Sequence, residues 1–323
     1  MEDQALQSVR ELLPSKAIER LQLSLGNDFQ RTLQSFLEER KITFRVNTLR
    51  ASAKNVLTQL DKENLKYESI PWCPSGYVLE SGTMRELQSL DAYGAGAIYI
   101  QEASSMLASH ILQVEPGMSV LDLCAAPGSK TSLISMLMNN TGTLVANDRS
   151  RTRLYRLRSI LKHQGVENAE VICSPGEELG KTYSDCFDRV LVDVPCSGEG
   201  RFRIDRPLRM LNWSEREIKK LAKLQGQLLS SAFRCVKVGG LIVYSTCTFA
   251  AEENEFVIDK VISKKTISAE LVEIPTLFVP ESARSGINCW NEKQCKTDIK
   301  FSMRIVPDAI STGFFIALLR RTA

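Results

Sequence analysis

Two apolar, β-rich runs in this chain each stop at a cysteine: "LVDVPCSGEGRF", which holds Cys196, and "LIVYSTCT", which holds Cys247. A cysteine is a compact apolar side chain and, as the thiolate, a strong nucleophile. The pair could therefore pack, ligate a metal, form a disulfide or carry out covalent catalysis. The remaining inventory bears on these choices. Nine cysteines are spread from Cys73 to Cys295, with no Cys-x-x-Cys and with only two histidines, His110 and His163, far from any paired cysteines. That is not a zinc pattern, and no metal is expected. The N-terminal "MEDQALQSVRELLP" is acidic and has no apolar core of a signal peptide. No run reaches the ~18 apolar residues of a membrane span. A reduced, cytoplasmic protein off the membrane is expected, where structural disulfides are disfavoured.

The elements that would position these cysteines can be read from periodicity. The chain has 323 residues, 43% hydrophobic and 24% charged, with a net charge of +3, which fits about two soluble domains. Residues 1–40 have helical spacing, broken near Pro14 and Gly26. From "ITFRVNTLR" to about residue 100, short strand-like runs surround a helix near 53–64, so 1–113 reads as helices plus a small α+β unit. "VEPGMS" is the linker. In 114–323 strands and helices alternate: "SVLDLCA", a helix over 129–139, "GTLVAND", a helix from Ser150 to Gly165, "AEVICS", "DRVLVDVP", a helix over 214–237, then "LIVYSTCT". Such alternation predicts a doubly wound α/β sheet. The last run, "GFFIALLRR", is expected at its edge, and 281–300 as a long loop.

In such a sheet ligands bind beyond the carboxyl ends of the strands. Cys196 follows the fourth strand and Cys247 ends the next, so both are expected to face that cleft. The first strand leads into "LDLCAAPGSKTS", where Pro127 and Gly128 make a tight turn before a helix N-terminus. It is not a P-loop, since Cys124 and Ser129 stand where the glycines belong, and it lacks a dinucleotide G-x-G-x-x-G. Asp148 ends the second strand, where a carboxylate can accept both hydroxyls of a ribose. A ligand with a ribose and a carboxylate but no phosphate fits S-adenosylmethionine, with Lys130 meeting the carboxylate. The plainer reading makes Asp148 a helix cap and Lys130 a solvated residue.

Covalent chemistry gives two thiols a purpose. Carbon 5 of cytosine is a poor nucleophile, but a thiolate adding to carbon 6 makes an enamine whose carbon 5 can attack a methyl sulfonium. An acid such as Asp193 near the ring nitrogen would stabilise the charge that develops. Afterwards a second thiol or a water must take the proton from carbon 5. Cys73, Cys173, Cys186 and Cys235 read as packing residues.

The stretches "LDLCAAPGSKT", "LVDVPCSGEGRF" and "LIVYSTCTFAAEENE" resemble the signature motifs of the Sun-type RNA cytosine-5 methyltransferases, most like the bacterial 16S ribosomal RNA enzymes. "FRVNTLR", "IYIQEASSMLAS" and "RIVPDAISTGFFIALLRR" are similar too, so the resemblance spans about 40–321. It implies a Rossmann-like, S-adenosylmethionine-dependent methyltransferase sheet preceded by a small α+β RNA-binding unit. The cofactor would lie along Cys124, Ala125, Ala126, Pro127, Gly128, Ser129 and Lys130, with Asp148 on the ribose, Arg153 nearby and Asp193 between cofactor and cytosine. Cys247 would be the nucleophile and Cys196 would assist release. DNA cytosine methyltransferases differ, their nucleophile belonging to a Pro-Cys like Pro195-Cys196, and the Ser-Thr-Cys-Thr stretch favours Cys247. Ribosomal RNA is the expected partner, transfer RNA the nearest alternative, and a monomer the expected state. A non-catalytic RNA-binding or assembly factor is the rival from another class. An amino-group methyltransferase would carry a different motif from "DVPC".

Two departures from the family's pattern stand out. Pro175 occupies a position after the third strand where an acid usually meets the adenine amino group, with Glu177 close behind. Relatives with a stretch like "RIDRPLRMLNWS" often carry a C-terminal RNA-binding extension. Because the sequence stops at Ala323, RNA recognition is expected to rest on the N-terminal unit, a ribosomal assembly or a partner. Arg45 and Asn47 of "FRVNTLR", with Arg201 and Arg203 beside the Cys196 loop, are expected to touch RNA, and Phe202 and Trp213 could stack on bases. Arg151, Arg156, Arg158 and Lys162 form a basic helix face of the ordinary solvated kind. The target base must be single-stranded or flipped out to reach the thiols.

Overall fold

The computed structural model describes residues 2–323, with side chains from Leu6 onward. Helices Glu2–Leu12, Ser15–Leu25 and Phe29–Ser35 open the chain. A four-stranded antiparallel sheet follows, built from β1 (Thr43–Val46), β2 (Tyr67–Ser69), β3 (Gly76–Leu79) and β4 (Ile98–Ile100) in the order β2-β3-β1-β4. Helix Ala53–Lys62, capped by Ser52, packs Val56 and Leu60 onto Phe44, Val46 and Ile98 of this sheet.

The second sheet has nine strands. Five run parallel: β5 (Ser119–Asp122), β6 (Thr143–Asn147), β7 (Ala169–Ile172), β8 (Phe187–Asp193) and β9 (Val236–Thr246), in the spatial order β7-β6-β5-β8-β9. The chain winds outward from β5 to β7, then returns to place β8 on the other side of β5. That reversal opens a crevice at the carboxyl ends of β5 and β8. Helix Glu215–Cys235 connects β8 to β9. Ser214 caps it by accepting the Glu217 N–H, and its i, i+3/i+4 stripe of Ile218, Gln225, Leu228, Leu229 and Ala232 is buried. The expected helix ran two residues further, but β9 already begins at Val236 and includes Gly239 and Gly240.

Strands β10 (Ala269–Val272), β11 (Ala283–Ser285), β12 (Cys289–Trp290), β13 (Lys293–Gln294), β14 (Met303–Ile305) and β15 (Phe314–Arg321) complete the chain. The expected edge strand is not at the edge: β15 lies between β9 and β14 and also pairs with β10. Phe314 through Leu319 are all buried, the unbroken apolar run of a strand covered on both faces rather than the alternation of an exposed one. Its partners β10 and β14 are too short to show as strands in the sequence. The expected loop 281–300 likewise holds β11 and the small β12–β13 hairpin.

A buried ion pair locks the N-terminal helices to the nine-stranded sheet. Arg304 on β14 donates to Glu255 at 2.6 and 2.7 Å, and its Nη1 donates to Ser24 Oγ at 3.0 Å and the Phe249 carbonyl at 3.1 Å. The two side chains are 7% and 0% exposed. Removing one partner leaves the other charge buried and uncompensated, which costs about 3–5 kcal/mol. Glu255→Ala is expected to lower unfolding stability by that amount in urea titrations. A loss under about 1 kcal/mol would mean that the pair is not held as described.

Candidate active site

Strand register alone brings the two cysteines together. Asp193 of β8 lies opposite Ser245 of β9, and the Ser245 hydroxyl donates to Asp193 Oδ1 at 2.7 Å. Each strand then runs a few residues further to its cysteine. The Cys196 and Cys247 sulfurs are 3.2 Å apart, and the Cys247 backbone N–H donates to Cys196 Sγ at 3.3 Å. Two sulfurs at this distance share one S–H. The hydrogen bond from Cys196 stabilises a thiolate on Cys247 and outweighs burial, with Arg201 and Lys130 adding to it, so the Cys247 thiol is lowered to about 7. Cys196 moves the opposite way, held up by the same bond and by burial. The two thiols are thus already differentiated, one toward the thiolate and the other toward the protonated form.

Two buried carboxyls that the sequence reading missed tie these loops in place. Glu199 accepts from Trp213 Nε1 at 2.7 Å, Thr248 Oγ1 at 2.9 Å and the Phe249 N–H at 3.1 Å. Glu253 accepts from the Ser197 N–H at 3.0 Å and from Gln225 Nε2 at 2.7 Å. Burial pushes Glu253 up to about 8. The Ser197 and Thr248 hydroxyls meet at 2.7 Å, so the Cys196 and Cys247 loops are laced to each other. Both acids lie within the motif stretches "LVDVPCSGEGRF" and "LIVYSTCTFAAEENE", but nothing in the local sequence marks them as buried. Gly200 is needed at a crossing here, since a Cβ on it would lie 2.0 Å from the Gly313 carbonyl oxygen.

The thiols open onto a cleft of about 490 Å³ lined by Cys124–Pro127, Ser129, Lys130, Arg153, Asp193, Cys196 and Cys247. Gly128 turns into helix Ser129–Leu137 with φ of 116°, a left-handed conformation suited to glycine. Lys130 is not a solvated helix-start residue. It is buried, and its Nζ donates to Asp193 Oδ2 and to Ser105 Oγ, both at 2.8 Å. Asp148 accepts the Ser150 N–H at 2.9 Å and pairs with Arg153 at 3.0 Å. Asp148 is therefore not the helix cap: the Ser150 hydroxyl, accepting from the Arg153 N–H, caps helix Arg151–Gln164, and Asp148 holds the Ser150 N–H with one oxygen and Arg153 with the other.

Asp122, also missed in the sequence, ends β5 in this cleft. One carboxylate oxygen accepts from Thr131 at 2.7 Å, while the other is buried with no hydrogen-bond partner among the described residues. Burial raises this carboxyl to about 7. An unpaired buried acceptor that opens on a cleft suits a ligand N–H. The amino group of S-adenosylmethionine is such a donor. Beyond Asp148 the cleft continues into a smaller recess between Leu123, Pro195, Leu224 and Leu228, with Glu177 and Asn147 at its edge. Its apolar walls suit a flat adenine ring, and Glu177, not Pro175, lines it. The donor set thus fits the cofactor. No cluster of three or more His, Cys, Asp or Glu able to hold a metal occurs among the described residues.

The expected RNA contacts divide. Arg45 is 0% exposed and Asn47 is 1% exposed, so neither can touch RNA. Arg45 donates to Gln101 at 3.1 Å and to Ser132 at 2.7 Å, and its guanidinium lies 4.9 Å over Tyr99. Asn47 donates to the carbonyls of Gly96 at 3.0 Å and Gln164 at 2.8 Å. Both bridge the small N-terminal sheet region to helices Ser129–Leu137 and Arg151–Gln164. Phe202 cannot stack on a base either, being buried edge-on against Phe36. Trp213 is half-buried on Glu199. Arg201 lines the cleft, and Arg203 sits beside it, paired with Asp205 at 2.8 Å. Arg151, Arg156, Arg158 and Lys162 are exposed.

Residues 109–320 match the model of the family described as 16S rRNA methyltransferase RsmB/F. The chain belongs to this family. Residues 13–103 of this RsmB/F-family chain match the N-terminal domain of 16S rRNA methyltransferase RsmF. It is 37% identical over 283 residues to ribosomal RNA small subunit methyltransferase F of Serratia proteamaculans, covering 86% of this chain and 56% of that protein. The protein of the same name from Erwinia tasmaniensis is 34% identical over 321 residues, 97% of this chain and 64% of its own length. This sequence thus spans between 56% and 64% of the length of these two curated relatives. Among solved structures, a methyltransferase homologue from Pyrococcus horikoshii superimposes with a TM-score of 0.84 at 31% identity, covering 98% of this chain and 99% of that one. NSun6 from the same organism, solved with SFG, gives 0.82 at 21% identity and 97% and 99% coverage, a likeness of fold. The RsmB/F fold is that of the S-adenosylmethionine-dependent methyltransferases, as the resemblance implied.

Proposed function

We propose that this RsmB/F-family chain methylates carbon 5 of a cytosine in small-subunit ribosomal RNA, through a covalent bond between Cys247 and carbon 6. The observation that carries this reading is the Cys196–Cys247 pair, 3.2 Å apart and open to a cleft shared with Asp193 and Lys130. S-adenosylmethionine, when bound along Cys124–Lys130, supplies an electrophilic methyl group. The chain's own task is to make carbon 5 nucleophilic. The Cys247 thiolate adds to carbon 6, and the electron pair of the 5,6 double bond moves into the ring. Lys130 sits where its ammonium stabilises the negative charge that develops, and Asp193 keeps it there. Asp193 Oδ1 and Oδ2 accept from Ser245 and Lys130 and retain lone pairs for the cytosine amino group. After methylation a water takes the proton from carbon 5, the 5,6 double bond re-forms and Cys247 leaves as a thiolate. Cys196, whose S–H lies against Cys247, stabilises that leaving thiolate by hydrogen bonding.

In this reading 1–113 is the N-terminal RNA-binding region and 114–323 the catalytic unit, the protein works in the cytoplasm beside the ribosome, and Arg201 and Arg203 contact substrate. The test is incubation with S-adenosylmethionine and unmodified ribosomal RNA, small-subunit particles or transfer RNA, followed by nucleoside mass spectrometry. 5-methylcytidine in ribosomal RNA, naked or in particles, supports the reading. Its appearance in transfer RNA alone would correct the substrate. Cofactor binding without methylation of any of the three would favour the assembly-factor alternative.

A further inference from the structure

Among the described residues, Arg40 is the one guanidinium near the cleft whose buried Nε and Nη2 have no hydrogen-bond partner. It follows helix Phe29–Ser35 and is carried to the active-site loops by two contacts: the Ile204 N–H donates to the Phe36 carbonyl at 3.0 Å, and Phe36 packs edge-on against Phe202 at 5.6 Å. There it lines a groove of about 540 Å³ with Arg201, Arg203, Arg206 and Arg209. The groove adjoins the thiol cleft, since Glu102, Arg201, Arg209 and Thr312 line both.

The balance of charge in this groove is unfinished. Arg203 is bound by Asp205, but Arg40, Arg201 and Arg209 have no ion-pair partner within 4.0 Å among the described residues. Burial lowers Arg40, with Arg203 and Arg201 pushing the same way and Glu102 and Asp308 resisting. A fold that crowds unpaired guanidiniums beside a reaction cleft, at the expense of their mutual repulsion, is shaped for an anion with several acceptor oxygens. A phosphodiester is that anion, and an arginine fork binds it in bidentate fashion.

We propose that Arg40, together with Arg201 and Arg209, forms a subsite for a backbone phosphate of the RNA strand next to the target nucleotide. This rests on the RNA substrate proposed above. The N-terminal helices, through Arg40, would thereby contribute directly to holding the strand while the base enters the thiol cleft. A phosphate contact carries no base information but fixes the register of the strand.

The experiment compares the wild-type chain with Arg40→Gln, Arg40→Lys and Arg209→Gln. Each is measured for binding to a fluorescent small-subunit ribosomal RNA transcript across a salt series, and for kcat and KM in methyl transfer. One lost phosphate contact lowers the slope of log affinity against log salt by about 0.7–0.9, which is about 5–8-fold in affinity at 0.1 M salt. Arg40→Gln is expected to show that loss as a raised KM at unchanged kcat, with cofactor affinity unaltered. Arg40→Lys is expected to retain most of the slope. Arg209→Gln, an exposed position, gives the same reading if Arg40→Gln does not fold. Wild-type slope and KM in the glutamine variants, in a preparation that methylates RNA, would overturn this subsite alone. A wild-type chain that neither binds nor methylates RNA would overturn the proposed function with it.

Discussion

Replacing Cys247 with alanine is expected to lower methyl transfer by on the order of 10³-fold or more, with cofactor binding intact. In the proposed mechanism the thiol is what makes carbon 5 nucleophilic, and its neighbours cannot substitute. Cys196 is 3.2 Å away, but the direction of its shift keeps its proton on. The fold should tolerate the change, because Cys247 is half-buried and Glu199, Glu253 and the Ser197–Thr248 contact still lace the loops. The same geometry sets a pH dependence. Cys247 is lowered to about 7, so the thiolate fraction, and with it the rate of adduct formation, should rise with pH through about 7 and level off above it. Single-turnover methyl transfer between pH 5.5 and 9 checks this. A rate already flat at pH 6 would mean that the thiolate is formed at a lower pH or that another step limits. A Cys247→Ala chain with near wild-type turnover would end the assignment.

Lys130→Met is expected to have the second-largest effect, about 10²–10³-fold in kcat. The ammonium is buried, bonded to Asp193 and Ser105, and lies 5.6 Å over the Phe314 ring. Without it, Asp193 loses its ion-pair partner beside Asp122, and in the proposed mechanism the developing charge on the base loses a cation. Lys130→Arg should recover part of the loss, since it restores charge but not the compact single donor. The readout that separates catalysis from packing is kcat against cofactor affinity. A fall in cofactor binding with unchanged kcat would make Lys130 a cofactor-carboxylate ligand, as first expected from spacing, rather than a partner in the chemistry.

How much of this was legible in the sequence depended on distance along the chain. The strand-end position of Cys196 and Cys247 could be read because each stands at the end of an apolar run of ordinary strand length. Their contact followed from β8 and β9 being consecutive strands joined by a single helix. The turn at Cys124–Lys130 was legible for the same local reason. Burial was not. Arg45 and Asn47 look like RNA contacts on a motif, yet what decides their role is that the small sheet docks against helices Ser129–Leu137 and Arg151–Gln164, a contact with no local signature. The place of β15 was misjudged because its outer partners are three- and four-residue strands. Asp122, Glu199 and Glu253 carry no local mark of burial: Glu199 stands between two glycines and Glu253 in a polar run, and only the three-dimensional setting shows that they are buried and bonded. Arg40 could not be found at all without the Phe36–Phe202 contact that carries it to the cleft.

The most direct test of the central claim is a search for the covalent protein–RNA bond itself. Wild-type, Cys196→Ala and Cys247→Ala chains are incubated with S-adenosylmethionine and the RNA that accepts the methyl group, then separated on a denaturing gel with the RNA labelled. If Cys247 attacks carbon 6 and Cys196 helps it leave, a slow-migrating adduct should accumulate in Cys196→Ala and be absent from Cys247→Ala. An adduct that persists in Cys247→Ala and vanishes in Cys196→Ala would exchange the two roles, and methylation without any adduct in either would contradict the covalent mechanism.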